Sequence, residues 1–113
     1  MYDELPFATW PDRLLFVFRR RVGFRVDGDS MSPTLMDGVT VLVNPHAAIA
    51  TGDIVLAAHP YKKSVRLIKR VTNITSGGEY TLTGDNPAES TDSRPFGPVG
   101  RADILGKVVC QSR

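Results

Sequence analysis

From residue 24 onward, short stretches of alternating apolar and polar residues are separated by tight-turn residues, and this pattern constrains the fold more than any other feature. Alternation with a period of two is typical of β-strands with one buried face, and the β-branched residues in these stretches favour strands. Ten glycines and eight prolines in 113 residues provide turns and favour short strands over a helical bundle. The predicted strands are residues 24–27, 39–43, 53–58, 65–74, 79–83 and 104–111.

The connections between these strands carry further signals. Ser-Gly-Gly at residues 76–78 predicts a hairpin turn. Residues 86–103 form a long polar stretch with little periodicity, and such loops in compact domains are often functional. The length of the chain fits one domain, so we expect an N-terminal segment, residues 1–23, followed by a single domain, residues 24–113.

The N-terminal quarter is basic, although the net charge of the chain is only +2. Thr9 as a cap and Pro11 in the first turn predict a short helix over residues 12–21, with an extended segment as the alternative. A basic cluster of this kind is typical of a solvated face, and it can also contact nucleic acid or an anionic membrane. We interpret the cluster as a solvated face and expect no nucleic-acid partner. The cluster consists of Arg13, Arg19, Arg20, Arg21 and Arg25.

Cysteine usage and hydropathy predict the compartment. Cys110 is the single cysteine, so no intrachain disulfide can form and a reducing cytoplasm is expected. The longest apolar run near the N-terminus, residues 14–18, is far shorter than the roughly 20 residues of a membrane span and shorter than the core of a signal peptide. We expect no integral membrane segment, which leaves peripheral membrane contact open.

Ser30 lies where a predicted strand gives way to a turn, before Pro33 and Thr34. An acyl-transfer nucleophile requires a hydroxyl held at the mouth of a sheet, with its own backbone N–H free to point at a substrate carbonyl. The alternative is a turn serine that bonds its own backbone.

Lys69 interrupts the apolar face of the longest predicted strand, because it points to the same side as Val65, Leu67 and Val71. Burying an ammonium ion is unfavourable, so such a lysine tends to lose its proton or to find an anionic partner. Lowering the pKa from about 10.4 to about 7–8 corresponds to roughly 4 kcal/mol. A neutral amine beside Ser30 can act as a general base. The alternative is a lysine that reaches the strand edge or pairs with a carboxylate.

Other catalytic and metal-binding chemistry has less support. His46 follows a turn proline and His59 ends a strand before Pro60, so both are predicted in loops and a Ser-His-Asp arrangement is not expected. Two distant histidines and one cysteine have none of the usual metal-ligand spacings. We therefore expect neither a metal nor a cofactor.

Five short motifs surround these residues and occur in order along the chain. In order and spacing they resemble the type I signal peptidases, the S26 family, from about residue 24 to residue 108. The motifs are GDSMSPTL at 28–35, GDIV at 52–55, IKRV at 68–71, GDN at 84–86 and STDSRPFG at 90–97.

The resemblance implies a mainly β, antiparallel fold with a coiled-barrel core of the signal-peptidase and LexA-like kind. It also implies a serine endopeptidase with a Ser/Lys dyad. By motif position Ser30 is the nucleophile and backbone oxyanion donor, and Lys69 is the general base. Ser90 matches a serine whose hydroxyl orients the lysine amine, and Asp92 and Arg94 match a structural pair.

The chain departs from the signal peptidase pattern in two ways. Gly28 stands where bacterial members often have a serine whose hydroxyl helps to bind the oxyanion, and the membrane anchors usual in that family are not expected here. A short chain without an anchor is most similar to the maturation proteases of nickel-type superoxide dismutase. That resemblance implies removal of an N-terminal leader from a precursor protein.

Three alternatives stay open from the sequence. The first is a signal peptidase acting at the membrane, with residues 14–21 lying on its surface. The second is a non-catalytic β-barrel binding module. The third is a self-cleaving Ser/Lys regulator, which is disfavoured because no helix-turn-helix precedes the predicted strands.

Overall fold

The computed structural model describes residues 22–87 and 97–112, and they form a six-stranded sheet in the order β1-β2-β6-β3-β4-β5. Every pairing is antiparallel, which confirms the predicted mainly β, antiparallel fold. The strands are β1 (Val22–Arg25), β2 (Thr40–Asn44), β3 (Ile54–Ala58), β4 (Arg66–Ile74), β5 (Tyr80–Thr83) and β6 (Ile104–Ser112), with a 3₁₀ helix at Arg101–Asp103.

All six predicted strands are present, each with its start within two residues of the prediction. The largest shift is in β1, which begins at Val22 because β2 supplies a partner, Val43, for that residue. The hairpin predicted at residues 76–78 is confirmed: Gly78 has a φ of 79°, and the Thr75 N–H donates to the Glu79 carbonyl at 2.8 Å.

The prediction of a long irregular stretch over residues 86–103 was partly wrong. Val99 forms an isolated bridge with Tyr80, and the 3₁₀ helix Arg101–Asp103 closes the segment. The bridge partner of Val99 lies in β5, which is remote in sequence. The predicted helix over residues 12–21 lies outside the described residues. Among the described residues, no helix combines the length and the apolar character that a membrane crossing demands.

The core has two halves that meet at β3, whose five residues are all buried. Ile54 and Leu56 belong to one apolar cluster, and Val55 and Ala57 belong to the other. Successive side chains of a strand point to opposite faces, so both faces of β3 are covered. The sheet therefore wraps around β3 instead of lying flat with one solvated face.

The close approach of β6 to the end of β2 depends on a glycine. A Cβ added to Gly106 would lie 2.5 Å from Val43 Cγ1, 2.8 Å from the Asn44 carbonyl oxygen and 3.0 Å from Pro45 Cα. Two of these neighbours are backbone atoms, which have little room to move. Gly106 thus permits the close approach of the two strands.

We expect Gly106→Ala to lower the free energy of unfolding by about 1–3 kcal/mol, because the added methyl group overpacks the contact between β6 and the end of β2. Urea denaturation followed by circular dichroism measures the loss. Gly100→Ala is the matched control, since its added Cβ meets nothing within 4 Å and its φ of −75° suits any residue. Equal stability of the two variants would show that the contact between β6 and the end of β2 has room for a methyl group.

Candidate active site

Ser30 lies in a turn that follows β1 directly. The Ser32 N–H donates to the Asp29 carbonyl at 3.1 Å, and the Leu35 N–H donates to the Met31 carbonyl at 2.9 Å. Met31 and Leu35 are buried, with 1% and 0% exposure, and they belong to the apolar cluster that contains Ile54. Two apolar anchors therefore hold the turn against the sheet and leave Ser30 partly exposed.

Lys69 lies in β4 opposite Val55 of β3. It is 5% exposed, and only one other charged residue among those described, Arg70, is as deeply buried. On the predicted apolar face of this strand Val65 is 40% exposed, whereas Ile68 on the opposite face is only 8% exposed. The prediction of a single apolar face that includes Lys69 was therefore only partly correct.

Arg70 joins β4 to two other segments. Its Nε donates to Asp85 Oδ1 at 3.0 Å and its Nη2 donates to Asp85 Oδ2 at 2.5 Å, the bidentate geometry of a strong arginine–carboxylate pair. Its Nη1 donates to the Gly52 carbonyl at 2.9 Å. The Thr34 hydroxyl also donates to Asp85 Oδ2, at 2.7 Å. One carboxylate therefore connects the strand that carries Lys69 to the turn that carries Ser30.

The residue after Asp85 makes a second connection to this turn. The Asn86 N–H donates to the Ser30 carbonyl at 2.8 Å, and Asn86 Nδ2 donates to the Asp29 carbonyl at 3.0 Å. These bonds fix the backbone on both sides of the Ser30 N–H and leave its hydroxyl group untouched. The GDN motif therefore positions the serine turn.

A cleft of about 150 Å³ brings Ser30 and Lys69 together. Its lining comes from two segments, one formed by β1 and the serine turn and the other by the first half of β4. The lining residues are Phe24, Val26, Asp27, Ser30, Met31, Arg66, Leu67, Ile68 and Lys69. Within the described part of the chain, Ser30 Oγ has no hydrogen-bond partner, so the two predicted dyad residues share the cleft without a direct hydrogen bond.

Strand edges that no other described strand pairs with border this cleft. β1 is the terminal strand of the sheet order, and β5 pairs with β4 only from Arg70 onward. The bonds from the His59 N–H to the Val65 carbonyl and from the Val71 N–H to the Asp53 carbonyl show that odd-numbered residues of β4 bond to β3. Since the pattern alternates, the backbone groups of Arg66 and Ile68 point away from β3, towards an edge that no described strand covers.

Gly28 does not supply an oxyanion donor. Its N–H donates to Asp37 Oδ1 at 2.7 Å, and its φ of 85° is a backbone conformation that favours glycine. Among the described residues, no acceptor pairs with the Ser30 N–H, so this amide can point at a substrate oxygen. The Gly28 N–H is therefore already engaged by a hydrogen bond within the protein.

The structure does not test the other residues that the sequence predicted for the site. Ser90, Asp92 and Arg94 lie outside the described residues. His46 and His59 follow β2 and β3 in loops, as predicted, and neither lines the cleft.

Four residues that brace the site, Arg70, Asp85, Thr34 and Asn86, were not predicted to have a role. All four stand inside the quoted motifs, beside the predicted catalytic residues or in GDN. The signal that could have revealed them was an arginine in the middle of a strand, since such a residue needs an anionic partner if it is buried.

Asp85 is held in its ionised form. Burial raises the pKa of its carboxyl, but the hydrogen bonds from Arg70 and Thr34 and the positive charge of Arg70 lower it by more, so that the pKa lies below its ordinary value of 3.8. The stabilisation from this carboxylate is therefore fully present above the pKa of the unfolded chain. It is lost as the pH falls through the lower pKa of the folded state.

We expect Asp85→Asn to lower the free energy of unfolding at neutral pH by about 2 kcal/mol, because a charged hydrogen-bond pair is lost. Its stability should fall less than that of the wild type as the pH drops below about 4. Urea titrations at several pH values measure both effects. Asp103→Asn is the control, since its partner Lys63 is 65% exposed and exposed ion pairs contribute little. An Asp85→Asn variant with the wild-type acid dependence would show that this carboxylate does not stabilise the fold through its charge.

Comparison with known proteins identifies a family and two relatives. Residues 9–109 match the family described as Peptidase S24-like. Mitochondrial inner membrane protease subunit 1 of Xenopus tropicalis is 33% identical over 104 residues, covering 72% of this chain and 62% of that protein. The protein of the same name from Schizosaccharomyces pombe (strain 972 / ATCC 24843) is 33% identical over 107 residues, covering 74% of this chain and 68% of that protein.

These matches bear on the predicted resemblance to signal peptidases. They support it at the level of signal-peptidase-like proteases, and they extend over β1 to β6. Because the family match includes most of the chain, the chain belongs to the Peptidase S24-like family.

Proposed function

We propose that the chain is a serine endopeptidase that removes an N-terminal leader from a precursor protein. The observation that carries the proposal is the placement of Ser30 and the buried Lys69 on one cleft. Family membership and the two protease relatives support the same class of reaction.

In the proposed reaction Ser30 Oγ attacks the carbonyl carbon of the scissile peptide bond. The buried Lys69, acting in its neutral form, takes the hydroxyl proton and returns it to the leaving amine. The Ser30 N–H donates to the oxyanion. Water then hydrolyses the acyl-enzyme ester, with Lys69 accepting a proton from the water and Ser30 regaining its own. In the role that the signal peptidase resemblance implies, Ser90 orients the amine, and Asp92 and Arg94 brace the loop.

We also propose that the leader binds as an extended strand. The unpaired edges beside the cleft offer backbone donors and acceptors, and a peptide can add to such an edge as a new strand. In this arrangement the scissile carbonyl passes Ser30 while the peptide backbone pairs with Arg66 and Ile68. Backbone pairing tolerates many side chains, which suits an enzyme that acts on leaders.

Two precursors are candidates. The resemblance to maturation proteases favours a nickel-type superoxide dismutase precursor processed in the cytoplasm. The relatives, each named as a subunit of an inner membrane protease, favour a precursor presented at a membrane. Both candidates use the same cleft and chemistry.

Ser30→Ala and Lys69→Ala should each lower leader removal on the order of 10³-fold or more, since members of a catalytic unit act together. Both variants should keep the circular dichroism spectrum and cooperative unfolding of the wild type. Exposed Ser64 and half-exposed Lys107 provide matched controls, Ser64→Ala and Lys107→Ala, that should cleave normally. Cleavage that persists in both site variants rejects the dyad and favours a binding module.

The precursor can be identified in the same experiment. Each candidate is co-expressed with the wild type or with Ser30→Ala, and mass spectrometry locates the new N-terminus. A superoxide dismutase precursor trimmed only by the wild type supports the cytoplasmic substrate. Trimming restricted to a membrane-bound precursor supports the second candidate.

The rate of cleavage should rise with pH until the Lys69 amine has lost its proton. Measured as kcat/KM over about pH 6 to about pH 10, the profile reports the ionisation of the free enzyme. A lysine that acts as a base is active only when it is neutral, so kcat/KM should fall on the acidic side of the profile. A flat profile over this range would falsify a titrating lysine base.

A further inference from the structure

The connection between β3 and β4 carries an exposed basic and aromatic segment, residues 59–66, which we call the basic tip. Tyr61 is 76% exposed and Val65 is 40% exposed, whereas most apolar side chains of the sheet are buried. The cations Lys62, Lys63 and Arg66 are exposed as well. The segment contains no acidic residue, and among the described residues one carboxylate pairs with it, that of Asp103, which lies 2.6 Å from Lys63 Nζ.

Internal hydrogen bonds give the basic tip a defined backbone. The His59 N–H donates to the Val65 carbonyl at 3.0 Å, and the Val65 N–H donates to the Lys62 carbonyl at 2.8 Å. The Tyr61 N–H donates to His59 Nδ1 at 3.1 Å, and the Arg66 guanidinium donates to the Lys63 carbonyl. Tyr61 is therefore displayed by an ordered loop, so its exposure does not follow from a loose chain.

The basic tip lies at one end of the candidate active site. Its last residue, Arg66, and the next, Leu67, line the cleft together with Lys69. A surface bound to the tip therefore lies beside the edge where the leader strand is proposed to pair. The other end of β4 is covered by β5.

We propose that the basic tip docks on an anionic lipid surface. Tyr61 and Val65 place apolar area at the headgroup level, where tyrosine is favoured because its ring is apolar and its hydroxyl is polar. Lys62, Lys63 and Arg66 add attraction to anionic headgroups, of about fivefold in binding constant for each cation. An acidic peptide would pair with the cations but would leave Tyr61 and Val65 without an apolar contact.

The docking surface extends the membrane alternative of the proposed function. Lipid binding itself is independent of that function, and only the consequence for leader removal rests on it. A chain held by the tip has its cleft close to the lipid, where a precursor anchored by its leader presents the segment to be cut. Lipid binding itself needs neither Ser30 nor Lys69. The test therefore uses Ser30→Ala protein, so that a failed dyad and a failed docking surface give different results.

The test measures co-sedimentation of the full chain with vesicles. One vesicle type is phosphatidylcholine alone and the other contains about one third phosphatidylglycerol. We expect binding to the anionic vesicles only, with release at high salt. Lys62→Gln should lower the binding constant about fivefold, and Tyr61→Ala should lower it several-fold. Lys107→Gln is the control, because this lysine is paired with Asp53 at the opposite end of β3 and should bind like the parent.

Three results overturn the proposal. Absence of binding to the anionic vesicles would show that an anionic lipid surface is not the partner of the tip. Binding that is equal in Tyr61→Ala, Lys62→Gln and their parent assigns lipid contact to another part of the chain. A higher KM for an acidic peptide in the active forms of these variants, with vesicle binding unchanged, assigns the tip to the substrate instead.

Discussion

The ion pair between Arg70 and Asp85 is the interaction on which the site depends. It is bidentate and nearly enclosed, with side chains 4% and 12% exposed. It links the two segments that carry Lys69 and Ser30, because Arg70 follows Lys69 in β4 and Asp85 accepts from Thr34 in the serine turn. The apolar anchors Met31 and Leu35 set the depth of the serine turn, but apolar contacts have little directional preference. The ion pair adds direction, since a guanidinium bonds a carboxylate in one plane.

The neighbouring positions of Lys69 and Arg70 follow from the alternation of side chains along β4. Both faces of the sheet are covered around β3, so either residue is buried whichever way it points. Burying two cations side by side is unfavourable unless their charge is compensated or removed. Arg70 is compensated by Asp85. Lysine, unlike arginine, can lose its proton in a buried position, and this difference agrees with the proposal that Lys69 is a base while Arg70 braces the site.

Much of the fold could be predicted from local pattern because strands alternate and turns need particular residues. The six strands and the hairpin at Gly78 are of this kind. The start of β1 and the bridge at Val99 could not be predicted, because each depends on a partner remote in sequence. At the site, Ser30 and Lys69 were predicted from their surroundings and from the resemblance. The brace was not, since nothing local to Arg70 indicates which carboxylate it meets.

Among the described residues, the strand edges beside the cleft are open, and this bears on how a substrate would bind. A strand with unpaired backbone groups is a hazard, because it can pair with another chain, and most proteins cover or shorten such edges. Here the uncovered part of β4 coincides with the residues that border Ser30 and Lys69. An extended leader would complete the sheet at that point, and its backbone bonds would hold the scissile carbonyl against the serine. We propose that this open part of the described sheet is the binding site for the leader, and that the basic tip beside it faces the surface from which the leader arrives.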